Sequence, residues 1–226
     1  MFHVEHRTKA VLFDYNGTLF FDSDINRIAW KQTMDEMSGG TLDFDSVYAS
    51  VKAARNCFLE NNIFEAMGRQ PSEEEVDYWV RRKETHYYQP YCLDHDRNQM
   101  SPGSEELLNY LKDNGYPVNL CTASIKENVD FYFDLLNLER WFDMDKVAYD
   151  DGTFYDKTTM YRACAERVGA DIKDCIVIED TMASIRQAIN AGAERIIAIR
   201  KEDTIKLDEI IQIVDELSEV DLSLFD

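Results

Sequence analysis

The segment Lys9–Phe20 contains the residues best placed to do chemistry. The apolar run Ala10–Phe13 predicts a buried strand, and Asp14, Asn16 and a Gly-Thr turn follow it. Ligands of open α/β sheets bind at the carboxyl ends of the strands, where Asp14 would lie. An aspartate there can ligate a metal ion or attack an electrophile, for example to form an aspartyl-phosphate. The alternative role for Asp14 is to cap a turn or the next helix.

Two later segments could bind an anion. The predicted strand Pro117–Cys121 is followed by Thr-Ala-Ser at residues 122–124 and then by a helix, so Thr122 and nearby backbone N–H groups would form an anion site. An ordinary N-cap is the alternative. Lys157 begins another helix, where a positive charge opposes the helix dipole and therefore indicates an anionic partner. The alternative is that Lys157 is simply exposed to solvent.

A pair of adjacent carboxylates follows another predicted strand. Cys175–Ile178 is an apolar run, and Glu179 and Asp180 come directly after it. Neighbouring carboxylates repel each other unless a cation lies between them, and Mg²⁺ prefers oxygen ligands of this kind. A solvated turn is the alternative. Because all these polar residues follow predicted strands or open the next helix, we expect them to meet at one edge of a sheet.

Strands alternate with helices along most of the chain, which predicts βαβ units and a parallel sheet. The predicted strands are Ala10–Phe13, Pro117–Cys121, Val147–Tyr149, Cys175–Ile178 and Arg195–Ile199. The predicted helices between them are Gly103–Lys112, Ile125–Leu138, Thr158–Val168 and Met182–Ala191. The predicted fold class is therefore α/β, with a Rossmann-like parallel sheet core.

Residues 20–98 interrupt this alternation with helical patterns only. The predicted helices are Asp24–Met37, Asp43–Asn61 and Ser72–Tyr88, and the last begins at a capping box. We therefore predict an all-helical cap at residues 20–98, inserted into an α/β core of residues 1–19 and 99–226. A domain inserted directly after the first strand would act as a lid over Asp14.

The composition argues against several classes of function. The 226 residues include 44 acidic and 24 basic side chains, and the net charge of −20 disfavours binding to nucleic acid or to an anionic membrane surface. No apolar run approaches the roughly 18 residues of a membrane span, and the N-terminus has no signal-peptide pattern. The five cysteines form no CxxC pair, which is typical of reduced thiols in a cytoplasmic protein. No protein partner is implied.

Taken together, these motifs resemble those of the haloacid dehalogenase superfamily, specifically the group with a small helical cap that contains β-phosphoglucomutase and related phosphatases. The four motifs match at Asp14–Leu19, Thr122, Lys157 and Glu179–Thr181, and residues 188–193 also fit. The resemblance covers nearly the whole chain.

The resemblance implies a role for each matched residue. Asp14 would attack phosphorus and form an aspartyl-phosphate, so the implied catalytic residues are Asp14, Asn16 and Lys157. Mg²⁺ is the implied cofactor, and its implied binding residues are Asp14, Asp180, the backbone carbonyl of Asn16 and, nearby, Glu179. The implied phosphate-binding residues are Thr122, Ala123 and Lys157. Positioning and charge neutralisation of this kind are what phosphoryl transfer requires.

Two positions depart from the family pattern. The phosphatases carry Asp where this chain has Asn16, and that Asp protonates the leaving oxygen and then activates water, a contribution of about 10²–10⁴-fold. An amide exchanges no proton at neutral pH, although its backbone carbonyl can still bind Mg²⁺. We therefore expect Asn16 to preserve metal binding and to slow hydrolysis of poor leaving groups. Asn26 takes the place of a cap His of β-phosphoglucomutases, which argues against mutase activity.

The leading interpretation is a Mg²⁺-dependent phosphohydrolase of a small phosphorylated metabolite. Lys52, Arg55 and Arg69 are candidates for contacts between cap and substrate, and surface charges are the alternative. A rival from another class is a phospho-ligand-binding pseudoenzyme. A dehalogenase would use an Asp nucleophile without a metal, and a phosphonatase would need a cap lysine, for which Lys52 is the candidate.

Overall fold

A computed structural model describes residues 8–49, 62–94, 99–200 and 206–226 of the chain. The chain divides into two compact units. One is formed by Met1–Phe21 with Gln99–Asp226, and the other is formed by Asp22–Asn98. The first unit contains a parallel sheet with helices, and the regular secondary structure in the described part of the second unit is helical.

Six parallel strands form the sheet of the first unit, in the order β3-β2-β1-β4-β5-β6. They are β1 Ala10–Phe13, β2 Val118–Ile125, β3 Ala148–Asp150, β4 Cys175–Glu179, β5 Arg195–Ile199 and β6 Ile210–Val214. β1 and β4 are completely buried, as expected for apolar central strands that are covered on both faces. The strand order reverses where β1 meets β4, which is the point where such sheets bind ligands. The prediction of a Rossmann-like parallel sheet is confirmed.

Four α-helices of this unit connect the strands. They are Ser104–Asp113, Lys126–Leu136, Lys157–Arg167 and Met182–Ala191. The last begins where the side chain of Thr181 accepts a hydrogen bond from the amide of Ser184, and it ends at Gly192 in the left-handed conformation. The apolar faces of the last two helices pack with strand residues in one buried core. Short 3₁₀ helices cover Leu138–Arg140, Met144–Lys146, Ile172–Asp174, Leu217–Glu219 and Leu222–Phe225.

Two strand predictions need correction. The second strand does not end at Cys121 but continues to Ile125, so that Thr122 lies within β2 and the helix begins only at Lys126. A register shift in the pairing of β2 with β3 lets the strand carry these extra polar residues. Strand β6 was not predicted, because Ile210–Val214 follows an acidic segment and three of its five residues are only partly buried.

The second unit contains short helical segments in its described part. They are Ser23–Ser38, Phe44–Ala49, residues 62–66, Glu73–Arg82 and Gln89–Asp94, with a π-helical segment at Lys83–Tyr88. The predicted capping box is present, because the side chains of Ser72 and Glu75 each bond the other residue's backbone N–H. The segment Ser72–Tyr88 is helical as predicted, with Ser72 as the N-cap and with a π-helical last part at Lys83–Tyr88. Most of the predicted helix Asp43–Asn61 lies outside the described residues.

A buried ion pair anchors this second unit. The ammonium group of Lys83 lies 2.8 Å from the carboxylate of Glu84 and 2.6 Å from the side-chain oxygen of Asn26. The same ammonium lies over the rings of Trp30 and Tyr88. Asn26 therefore has a hydrogen-bond partner within its own unit.

In the part of the chain that the structure describes, no helix is long and apolar enough to cross a membrane. Four cysteines are buried and not disulfide-bonded: Cys92, Cys121, Cys164 and Cys175.

Candidate active site

Asp14 lies directly after β1, at the point where the strand order reverses. Its backbone N–H donates to the carbonyl oxygen of Ile178 in β4 at 3.0 Å, which continues the pairing of the two strands. The side chain is nearly enclosed, since Asp14 is only 5% exposed. The sheet thus fixes the backbone of this residue and presents one carboxylate at its carboxyl edge.

Lys157 provides the positive charge beside Asp14. Its ammonium nitrogen lies 2.7 Å from Asp14 Oδ1 and 2.5 Å from Glu179 Oε1. Lys157 is 7% exposed and Glu179 is fully buried. Two features hold the start of the lysine's helix. The side chain of Asp156 caps it, and the backbone N–H of Lys157 donates to the side-chain oxygen of Gln187. A lysine in the first turn of a helix here has two anionic partners.

The carboxylate of Glu179 accepts hydrogen bonds at both oxygens. Oε1 accepts from Lys157 and from the hydroxyl of Tyr161 at 2.8 Å. Oε2 accepts from the backbone N–H groups of Asp180 at 2.8 Å and Thr181 at 3.1 Å. Four donors suit the lone pairs of a carboxylate, so this side chain anchors Lys157 in place.

Carboxylate oxygens of three residues converge here, and those of Asp14, Glu179 and Asp180 lie within 4.8 Å of one another. Burial, with a further contribution from Glu179, raises the pKa of Asp14 to about 7, although Lys157 opposes the shift. Burial and the negative charges of Glu179 and Asp14 raise the pKa of Asp180 to about 9. These shifts show that one lysine does not neutralise the cluster, and oxygen donors of this kind fit a hard divalent cation.

Lys157 and Glu179 form the charged pair of the site. Burial alone would lower the pKa of Lys157, but the charges of Asp14 and Glu179 outweigh it and raise that pKa above its usual range. Burial would likewise raise the pKa of Glu179, but Lys157 outweighs it and the pKa is lowered. Burial and the charge of Glu179 raise the pKa of Tyr161 well above its usual value, so its hydroxyl stays a donor.

Gly17 packs directly against Asp180. A Cβ atom at Gly17 would lie 2.0 Å from Asp180 Oδ2, and the backbone has a φ of +81°. Glycine is therefore required at position 17 for two reasons: it allows the left-handed turn, and it leaves room for the Asp180 carboxylate.

We expect Gly17→Ala to displace the carboxylate of Asp180 and to lower the activity on the order of 10²-fold, since small displacements of a site can cost that much. Gly115→Ala is the matched control, because Gly115 has a φ of +74° with nothing within 4 Å of the added Cβ. Steady-state turnover of both variants, normalised to folded protein, provides the measurement. Equal losses in the two variants would attribute the effect to backbone strain and not to Asp180.

Two of the predicted phosphate-binding residues, Thr122 and Ala123, lie on β2, which neighbours β1. Thr122 is buried, and its hydroxyl donates to Ser124 Oγ at 3.1 Å and accepts from the Ser124 amide at 3.2 Å. Ala123 lies between them and is half-buried. Leu120 is in register with Phe13, so β2 carries these residues along the same edge of the sheet that Asp14 follows.

Asn16 lies next to this segment. Its side-chain oxygen accepts from Ser124 Oγ at 2.9 Å, and its amide nitrogen donates to the hydroxyl of Tyr132 at 3.3 Å. The structure therefore brings Asn16 to Ser124, and it brings Asp14, Lys157 and Glu179 together.

The predicted cap residues belong to the second unit. Lys52 and Arg55 lie outside the described residues. Arg69 forms an ion pair with Glu75 at 2.5 Å and lies over the ring of Phe64 within the second unit.

Sequence reasoning missed two tyrosines. Tyr161 follows Lys157 by four residues on one helix, a spacing that places both side chains on the same face and could have suggested a shared partner. Tyr132 reaches Asn16 from the helix Lys126–Leu136, and no local pattern signals that contact.

Comparison with known proteins decides the family. The sequence pattern of the haloacid dehalogenase-like hydrolases matches residues 8–192, which is most of the chain. The chain belongs to this family. The prediction of a haloacid dehalogenase-type hydrolase is thereby confirmed.

Individual relatives of this hydrolase agree with that assignment. A haloacid dehalogenase-like hydrolase domain-containing protein of Arabidopsis thaliana is 27% identical over 125 residues, which are 54% of this chain and only 40% of the plant protein. A probable pseudouridine-5'-phosphatase of Saccharomyces cerevisiae is 26% identical over 209 residues, covering 82% of this chain and 80% of the yeast protein. The crystal structure of a family IA, variant 3 hydrolase from Entamoeba histolytica HM-1:IMSS superposes with a TM-score of 0.85 at 29% identity, covering 95% of this chain and 96% of that one.

Proposed function

We propose that this hydrolase is a Mg²⁺-dependent phosphatase of a small phosphorylated metabolite and that it works through an aspartyl-phosphate on Asp14. The observation that carries the proposal is the buried contact of Asp14 with Lys157, which Glu179 holds in place from the other side. A carboxylate nucleophile beside a fixed cation suits a phosphoryl group, whose oxygens need positive charge around them.

We propose that Asp14, Asp180 and the backbone carbonyl of Asn16 would hold the Mg²⁺ ion. Glu179 is less suited to direct contact, because both of its oxygens already accept hydrogen bonds from the protein. Its role would be to balance the charge of Lys157. When bound, Mg²⁺ would supply further positive charge for the phosphoryl oxygens.

The residues of the chain suggest the following sequence of bond changes. An oxygen of Asp14 attacks phosphorus, the bond from phosphorus to the leaving oxygen breaks, and that oxygen takes a proton from solvent. Water then attacks the phosphorus of the aspartyl-phosphate, which releases inorganic phosphate and restores the carboxylate. Thr122, the backbone N–H of Ala123 and Lys157 would bind the phosphoryl oxygens. Asn16 can give no proton to either step, so substrates with good leaving groups should react faster.

The unit Asp22–Asn98 would serve as the cap of this enzyme, and it would choose the substrate. The name of the yeast relative suggests pseudouridine 5'-phosphate as the first compound to try, with other nucleoside and sugar monophosphates beside it.

A turnover assay tests this proposal. The wild type would be incubated with Mg²⁺ and either an aryl phosphate or the panel of monophosphates, with EDTA as the control, and released phosphate would be measured. Mg²⁺-dependent release supports the phosphatase. Tight binding of phosphate without any release of product would favour the phospho-ligand-binding pseudoenzyme instead.

The raised pKa values of Asp14 and Asp180 predict how Mg²⁺ stabilises the protein at different pH values. Both folded-state pKa values, about 7 and about 9, lie above the usual 3.8. Without metal, the folded protein therefore holds protons that the unfolded chain has lost. Asp14 reduces stability as pH rises from about 4 to about 7, and Asp180 does so from about 4 to about 9, each by up to about 1.4 kcal/mol per pH unit within its own range. Mg²⁺ binds the ionised carboxylates, so we expect the increase in Tm on adding Mg²⁺ to be larger at pH 9 than at pH 6.

Thermal unfolding with and without Mg²⁺ over this pH range is the measurement. Asp180→Asn should weaken the pH dependence of the Mg²⁺ effect, whereas Asp134→Asn, on an exposed helix position, should not. A Mg²⁺ effect on Tm that is the same at every pH would contradict the assignment of these carboxylates as ligands.

A further inference from the structure

The side chains of Asn16, Tyr132 and Ser124, all in the first unit, form a closed ring of three hydrogen bonds. The Asn16 amide nitrogen donates to Tyr132, the hydroxyls of Tyr132 and Ser124 lie 3.2 Å apart, and Ser124 Oγ donates to the Asn16 side-chain oxygen. Ser124 has one hydroxyl proton and uses it on Asn16, so the proton between the two hydroxyls must come from Tyr132. All three bonds then run in one direction around the ring.

The ring depends on an amide at position 16. Its three contacts need three protons, and Asn16, Tyr132 and Ser124 supply one each. A carboxylate at position 16 has no proton to give. The ring would then be one proton short, and two oxygen atoms would face each other at hydrogen-bond distance without a donor, which is unfavourable in a buried site.

Aromatic packing holds this ring of hydrogen bonds in place. The ring of Tyr132 stacks on that of Tyr15, with centroids 3.7 Å apart and planes within 13°, and Tyr132 is 1% exposed. The main chain next to Asn16 is fixed too, because Gly17 N–H donates to the carbonyl of Phe20 at 2.8 Å. Because stacking already fixes the aromatic ring of Tyr132, its hydroxyl can orient the Asn16 side chain with little further loss of conformational entropy.

We infer that Tyr132, together with Ser124, is a positioning residue that fixes the side chain of Asn16 in one orientation, and that this ring favours an amide at position 16 over a carboxylate. The inference rests on the proposed function only in treating Asn16 as an active-site residue. Asn16 then has a role of its own, because its amide completes a hydrogen-bond network that links the segment after Asp14 to strand β2. The same network extends to Thr122, whose hydroxyl donates to Ser124.

A spectroscopic measurement tests the orientation without any substrate. In ¹⁵N-labelled protein, the side-chain amide signal of Asn16, assigned by its loss in Asn16→Asp, should exchange slowly with solvent. Tyr132→Phe keeps the stacked ring but removes the hydroxyl, and it should speed this exchange. Tyr116→Phe removes a tyrosine hydroxyl near the C-terminus, and it should leave the signal unchanged. Rapid exchange in the wild type, or no change in Tyr132→Phe, would overturn the inference.

A double-mutant cycle tests the preference for an amide. We expect Asn16→Asp to lower Tm by about 2–4 °C, the shift that corresponds to one unsatisfied contact in a domain of this size. In the Tyr132→Phe background the same substitution should lower Tm much less, because the contact between the hydroxyls of Tyr132 and Ser124, which would lack a proton, is already absent. In the Tyr116→Phe background the full loss should remain. Equal losses in all three backgrounds would overturn the preference.

Kinetics separate positioning from a purely structural role. If the wild type turns over an aryl phosphate, Tyr132→Phe should lower kcat by up to about tenfold, because the side-chain contacts of Asn16 also hold the backbone carbonyl that is proposed to bind Mg²⁺. KM should stay unchanged, because Asn16 is not expected to bind the ground-state substrate. An unchanged kcat would overturn the positioning role. If the wild type has no turnover at all, the proposed function fails, and the exchange and Tm measurements still decide whether the ring exists.

Discussion

Asp14→Ala is expected to abolish phosphatase activity, with a loss in kcat on the order of 10⁴–10⁶-fold, as found when a covalent nucleophile is removed. The reason is that Asp14 is the residue proposed to form the bond to phosphorus, and the described structure places Lys157 against its Oδ1 atom. Asp14→Asn should fail equally, since an amide keeps the shape of the side chain but is a poor nucleophile. Initial rates with an aryl phosphate at saturating Mg²⁺ provide the measurement.

Asp134→Asn is the matched control for this loss, because it removes one carboxylate from an exposed position of the same unit and should keep the wild-type rate. Folding is checked by circular dichroism and by Tm. Removal of Asp14 leaves Lys157 its contact with Glu179, so the variants should remain folded. Wild-type turnover in Asp14→Ala would mean that the catalytic residue lies elsewhere.

Asn16→Asp is expected to raise the hydrolysis of alkyl phosphates on the order of 10²-fold, within the range that general acid–base catalysis supplies. An alkoxide leaves slowly without a proton, and a carboxylic acid at this position could give one. The leaving groups of aryl and acyl phosphates depart without protonation, so the rate of their first step should rise less. Comparison of kcat for an alkyl and an aryl phosphate, in wild type and variant, measures the difference.

The ring around Asn16 adds a second expectation for this substitution. The variant should gain activity and lose stability together, because the carboxylate leaves the contacts of Tyr132 and Ser124 one proton short. Trade-offs of this kind are common at active sites. If Asn16→Asp leaves the alkyl-phosphate rate unchanged, another residue supplies the proton or the chain does not catalyse phosphoryl transfer.

Much of the sheet could be predicted from the sequence. Ala10–Phe13 and Arg195–Ile199 were predicted with the bounds that the structure shows, because short apolar runs beside turn residues are typical of buried parallel strands. The end of β2 could not be predicted in the same way. Thr122 and Ser124 are polar and are typical of a loop. The strand continues because Ile125 pairs with β3 beyond a register shift, and Ser124 also donates to Asn16.

The charged part of the site could also be anticipated, whereas the groups that orient it could not. Asp14, Lys157 and Glu179 each stand out because a charge follows an apolar strand or opposes a helix dipole. Tyr132 and Tyr161 resemble ordinary core aromatics in the sequence, and only their hydroxyl contacts show what they hold. Lys83 of the second unit is similar, since its burial beside Trp30 depends on tertiary packing.

The local charge balance explains how an acidic protein can serve an anionic substrate. The chain carries a net charge of −20, and three carboxylates meet around one lysine. Burial and the neighbouring carboxylates raise the pKa values of Asp14 and Asp180, so both groups resist ionisation when no cation is bound. A divalent cation at this cluster would reverse the local charge, so we expect substrate binding to depend on Mg²⁺ as strongly as turnover does.

Trapping the phosphoenzyme is the most direct test of Asp14 as the nucleophile. Wild-type protein would be mixed with Mg²⁺ and an aryl phosphate, quenched in acid within the first turnover, digested and examined by mass spectrometry. Because Asn16 cannot activate water, the second step should be slow. We therefore expect a phosphoryl group on the peptide that contains Asp14, together with a burst of the aryl alcohol. Turnover without a burst and without any phosphorylated Asp14 peptide would contradict the role of Asp14 as the nucleophile.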